Sequence, residues 1–117
     1  MEKLHTYQSK EHNFTIDFLQ FKNRHLYLKI QDLNDFFNDS FEDWKNGNYG
    51  MEILKASYYD WFKYETLEDY QKELVINYND EKLCSFMLAY AFIRKHNTKL
   101  ANELDSFNNN IVFHDKS

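Results

Sequence analysis

Proline is absent from this 117-residue chain, and glycine occurs only twice, at Gly47 and Gly50. No Pro-, Gly- or Ser-rich stretch marks a linker, so residues 1–117 read as one domain. A chain of this length buries on the order of 65 per cent of its unfolded surface, enough for a real core. Two glycines also leave no Gly-rich loop followed by Lys and Ser or Thr, which excludes the common phosphate cradles. The single cysteine, Cys84, forms no internal disulfide. The first residues, MEKLHTYQSK, lack the apolar run of a secretory signal, so a cytoplasmic location is expected. The longest nearly apolar run, Leu83 to Ile93, is about half of what a membrane span requires.

Metal and catalytic signatures are equally sparse. The five histidines, at positions 5, 12, 25, 96 and 114, form no pair on one helix face, and neither HExxH nor CxxC occurs. His5, His12, His25 and His114 lie near strand ends and converge only if the sheet order brings them together. Cys84 sits in the most apolar stretch, where a thiolate has no positive charge to stabilise it, so it reads as a core residue. No catalytic residue, metal ligand or cofactor is assigned, and binding is favoured over catalysis.

What the chain does have is aromatic side chains, 19% of its residues, and a net charge of −5 unevenly spread. Residues 1–31 carry +2, 32–46 carry −4, 47–82 carry −4 and 83–117 carry +1. Such a chain repels phosphates, and no Lys or Arg cluster offsets that, so direct nucleic-acid binding is not expected. A basic protein partner, steered by the acidic field, is.

The N-terminal third has strand periodicity. Phe14, Ile16 and Phe18 alternate with Thr15 and Asp17, and Leu26, Leu28 and Ile30 alternate with Tyr27 and Lys29, predicting a hairpin turned at Lys22-Asn23-Arg24. Leu4–Tyr7 is a candidate third strand and Ile111–His114 a candidate fourth, since a lone hairpin is marginal. From Asp32 the period becomes helical, predicting helices over about 32–46, 51–64, a segment opened by Thr66 and Asp69, and 80–96, with a further one to about Phe107. The expected fold is α+β: a small antiparallel sheet packed against four or five helices.

Within 32–46, at about 100° per residue, Asp32, Asp35, Asp39, Glu42 and Asp43 fall in an arc of roughly 100°. Leu33, Phe37, Phe41 and Trp44 form the core side, with Phe36 at the seam. Like charges three and four apart repel by roughly 0.2–0.5 kcal/mol per pair, and only Lys45 lies near enough to help. Folding gains nothing from this ridge, whereas a partner bearing Lys and Arg does. Tyr59 and Tyr64 are the expected aromatic anchors beside it.

In size, acidity and aromatic content the chain is similar to the broad class of toxin-immunity proteins and phage-encoded inhibitors of nucleases or defence complexes. That likeness implies a protein that blocks a basic partner, as a partial mimic of nucleic acid. The alternative is a self-associating regulatory domain with an aromatic homodimer seam through Tyr59 and Tyr64.

Overall fold

A computed structural model describes residues 3–21, 26–61, 72 and 74–114. It is an α+β fold, with a five-stranded antiparallel sheet and, among the described residues, five helices. The strands are β1 (Lys3–Ser9), β2 (Phe14–Gln20), β3 (Leu26–Lys29), β4 (Val75–Tyr78) and β5 (Glu81–Ser85), in the order β1-β2-β3-β5-β4. The N-terminal hairpin pairs as its alternation predicts, with Phe18 opposite Leu28, and Leu4–Tyr7 lies within β1, paired to β2. The Lys22–Arg24 turn lies outside the described residues.

Phe14, Ile16, Phe18 and Leu28 are buried on one face of the sheet with Leu88, Phe92, Leu100 and Leu104. These last come from α4 (Phe86–His96) and α5 (Thr98–His114), the pair that closes the core. Phe92 is its hub, its ring packing against Phe37, Phe41, Trp44 and His96.

Three expectations are corrected. The helix over 32–46 is two helices, α1 (Ile30–Phe37) and α2 (Phe41–Asn46), parted at Asn38, whose φ of 51° and ψ of 47° are left-handed. Side chains near the break supply hydrogen bonds that compete with helical ones. Asn34 Oδ1 accepts from the Phe41 N–H at 2.8 Å, and Ser40 Oγ accepts from Asp43 N–H at 3.2 Å as the N-cap of α2.

The helix over 80–96 is a strand followed by a helix. Asn79 and Asp80 both have positive φ, 51° and 63°, the conformation of a two-residue hairpin turn that joins β4 to β5. β5 lies between β3 and β4, and Leu83 and Cys84 on its opposite faces are both buried. A strand covered on both sides is apolar throughout and has no period of two to reveal it.

The C-terminal strand is absent: Asn108–Asn110 do not stop α5, which runs on through Ile111 and Val112. Leu100, Leu104, Phe107 and Ile111 keep helical spacing, and Ile111 and Val112 pack on the core.

The second predicted helix begins earlier, as α3 (Asn48–Trp61), with Gly50 inside it. A Cβ on Gly50 would meet the Trp44 carbonyl oxygen at 2.5 Å and the Lys45 backbone at 2.6 Å, so glycine here allows α3 to abut the end of α2. The helix predicted from Thr66 and Asp69 lies outside the described residues. No helix among the described residues is long and apolar enough to cross a membrane.

Candidate functional site

The break at Asn38 divides the acidic ridge. Asp39 sits in the turn itself, where its Oδ2 accepts from Lys95 Nζ at 3.0 Å and lies 2.9 Å from His96 Nε2. Its Oδ1 accepts from the Ser40 N–H at 2.8 Å. The Lys95 and His96 hydrogen bonds hold its carboxyl below the usual range. Phe37 stacks on the His96 ring at 4.8 Å, so this cluster ties the α1–α2 turn to the end of α4. Asp39 is therefore balanced within the fold. Glu42 is also met, by Lys82 at 3.2 Å, with both side chains exposed. Asp43 is exposed on α2 and makes no ion pair among the described residues.

Asp32 and Asp35 remain exposed on α1, Asp35 accepting from Gln31 Nε2 at 2.7 Å. Asp32 gains anionic company the sequence pattern did not place there. Lys29 pairs with Leu83, two residues from Glu81, and contacts Glu81 at 3.4 Å. Lys29, Asp17, Glu81 and Asp35 all act on the Asp32 carboxylate. Surrounding protein withdraws solvent from the Asp32 carboxylate, the main reason its pKa is raised. Lys29 pulls it down, and Asp17, Glu81 and Asp35 push it further up.

The aromatic group nearest these acids in sequence is Phe36, 43% exposed on α1 and edge-on to Phe14 at 4.5 Å. Tyr59 ends up in the last turns of α3, but its side chain, and all of Tyr64, lie outside the described residues. The aromatic homodimer seam expected through those two tyrosines lies there as well. Alternation already set Asp17 opposite to Phe14, Ile16 and Phe18, which was the available signal. Glu81 had none once its segment read as helix.

A second polar cluster forms around His12, one of the histidines near strand ends. Tyr7 donates to Glu103 Oε1 at 2.6 Å, and His12 Nε2 lies 3.3 Å from Glu103 Oε2 and 3.8 Å from Glu11 Oε2. Its other nitrogen, Nδ1, faces Asn97 Nδ2 at 3.2 Å, while Asn97 Oδ1 accepts from the Leu100 N–H and caps α5. Donation to Glu103, with burial and its charge, pushes the Tyr7 hydroxyl up to about 12, and holds Glu103 low. Ser9, 2% exposed, lies beside Glu103, but its hydroxyl has no hydrogen bond of good geometry. His5 is not part of this group, since its Nε2 lies 3.0 Å from Gln20 Oε1. Cys84 is fully buried in β5, and burial pushes its thiol pKa up, so it is no nucleophile.

Compared with protein-family models, curated proteins and solved structures, the chain matches none, so its function has to be read from these residues alone.

Proposed function

We propose that this chain is a small binding protein of inhibitor or immunity type, which blocks a basic protein by docking it on the exposed face of α1. Asp32 and Asp35 with Asp17 and Glu81 provide the charge, and Phe36 the apolar contact. The carrying observation is the crowding at Asp32, an exposed carboxylate repelled by Asp17, Glu81 and Asp35 and attracted by Lys29, which also pairs with Glu81. Like charges held together cost stability in the free protein, and a Lys or Arg from a partner relieves that cost. Phe36 adds what charge alone lacks, an exposed ring beside the acids able to fill a pocket. Surfaces that handle nucleic acid, such as those of a nuclease toxin or a defence complex, have the matching basic character.

Asp39 and Glu42 take a smaller part here than the sequence pattern suggests, because Lys95 and Lys82 already pair with them and His96 lies within hydrogen-bond distance of Asp39. A photo-crosslinking residue at position 36 tests the proposal in the source cell. A basic protein should be trapped there. Binding of that purified protein should weaken at least tenfold in Asp32→Asn/Asp35→Asn/Phe36→Ala, lose much of its salt dependence, and be nearly unchanged in Glu42→Gln. An acidic crosslinked partner, or a triple variant that binds equally well, overturns the reading.

A further inference from the structure

We propose that Glu11, His12 and Glu103 form a binding site for one first-row divalent cation, best matched by Zn2+. The site shares no residue with the α1 face and does not depend on it. One carboxylate and the imidazole come from the β1–β2 turn and the other carboxylate from α5, so the fold rather than local spacing assembles the set. Their ligand atoms all lie within 4.8 Å of one another.

The distances suit zinc. Bonds of about 2.0–2.2 Å to nitrogen and oxygen in a tetrahedron put neighbouring ligand atoms roughly 3.3–3.6 Å apart. His12 Nε2 and Glu103 Oε2 are already 3.3 Å apart, and Glu11 Oε2, 3.8 Å from His12 and on a side chain 69% exposed, has to swing in towards Glu103 to complete the set. An imidazole with two carboxylates suits zinc better than Mg2+ or Ca2+, which favour all-oxygen shells.

A further observation points to a ligand. His12 Nε2 is a buried nitrogen without a hydrogen-bond partner of good geometry, and it is aimed at the two carboxylates. Tyr7 donates to Glu103 Oε1, which orients the carboxylate and leaves Oε2 turned towards His12.

Asn97 sets a condition on the chemistry. With its Oδ1 committed to the α5 cap, its Nδ2 faces His12 Nδ1, so in the metal-free protein Nδ1 accepts and the proton sits on Nε2. To bind the cation through Nε2, the imidazole must carry its proton on Nδ1 instead. Nδ1–H then needs an acceptor, and the Asn97 amide must turn its oxygen away from the cap. An aspartate at 97 offers one oxygen to each, capping α5 and accepting from Nδ1–H, as the outer carboxylate of many zinc sites does.

The full chain, stripped with chelator, is titrated with ZnCl2 by calorimetry at pH 7.5, with folding followed by circular dichroism. One saturable site is expected, resistant to millimolar Mg2+. Glu11→Gln, an exposed change that leaves the fold intact, should weaken it about tenfold, and His12→Ala should abolish it. Asn97→Asp should tighten it about tenfold. His96→Ala should leave it unchanged, which separates this site from the Asp39–His96 pair. Absence of a saturable site, or binding unaffected by Glu11→Gln, overturns the proposal, as does an Asn97→Asp variant that binds no tighter.

Discussion

The Tyr7 hydroxyl on β1 and the Glu103 carboxylate on α5 are 2.6 Å apart and 96 residues apart in sequence. Their hydrogen bond fastens the edge strand to the last helix, reinforced by Tyr7 packing on Phe107 at 4.8 Å. In Tyr7→Phe the ring contact survives and the hydrogen bond does not. For a partly exposed pair the loss should be about 1 kcal/mol, read as a lower urea midpoint with chelator present. The tyrosine titration should also lose a component near pH 12, where Tyr7 gives up its proton.

Asp32 should behave in the opposite sense. Its raised pKa means the ionised carboxylate is less comfortable folded than unfolded, so at neutral pH it subtracts from stability. Asp32→Asn should therefore stabilise the free protein at pH 7, by up to about 0.5 kcal/mol after solvent screening. The gain should fade as pH falls through the raised pKa and be gone below the ordinary carboxylate value, where both states are protonated. Unfolding midpoints at pH 7 and pH 3 check this. A variant that is more stable but binds less well is the pattern expected of a residue kept for its partner.

Gly50→Ala should destabilise despite alanine's better helix propensity. Propensity offers about 1 kcal/mol, but the new Cβ would stand 2.5 Å from the Trp44 carbonyl and 2.6 Å from Lys45 backbone, neither the end of a flexible side chain. Separating α2 from α3 should cost roughly 1–3 kcal/mol, so sterics prevail. Chemical denaturation decides the sign.

Asp80→Gly distinguishes the hairpin from a helix start. At φ 63° a glycine is free of the strain a side chain carries, and Asn-Gly is the preferred pair for this turn. Stability should rise by about 0.5 kcal/mol. Were residues 80–96 one helix, the same change would lower it.

The segments read correctly from sequence are those whose side chains alternate in polarity. In β2, Phe14, Ile16 and Phe18 face the core while Thr15 and Asp17 do not, and in β3 the polar ends of Tyr27 and Lys29 keep the period visible although Tyr27 is buried. Misreadings fall where that contrast fails. β5 is covered on both faces, so Leu83 and Cys84 merge with the apolar start of α4. Asn108–Asn110 look like a turn, but packing of Phe107, Ile111 and Val112 on the core overrides a weak local preference. Nothing local to Asn38 opposes a helix; the side chains of Asn34 and Ser40, by bonding the backbone around it, are what end α1 there.

Composition and periodicity alone determined an α+β domain with its N-terminal hairpin, an acidic middle and a buried Cys84, because burial of one face and charge density are local properties of a sequence. Which carboxylates remain available was decided only in three dimensions. Lys95 and His96 reach Asp39 from α4, strand pairing brings Glu81 to Lys29, and the chain's return through α5 brings Glu103 to His12. Electrostatic balance depends on distance through space, and no spacing along the chain encodes it.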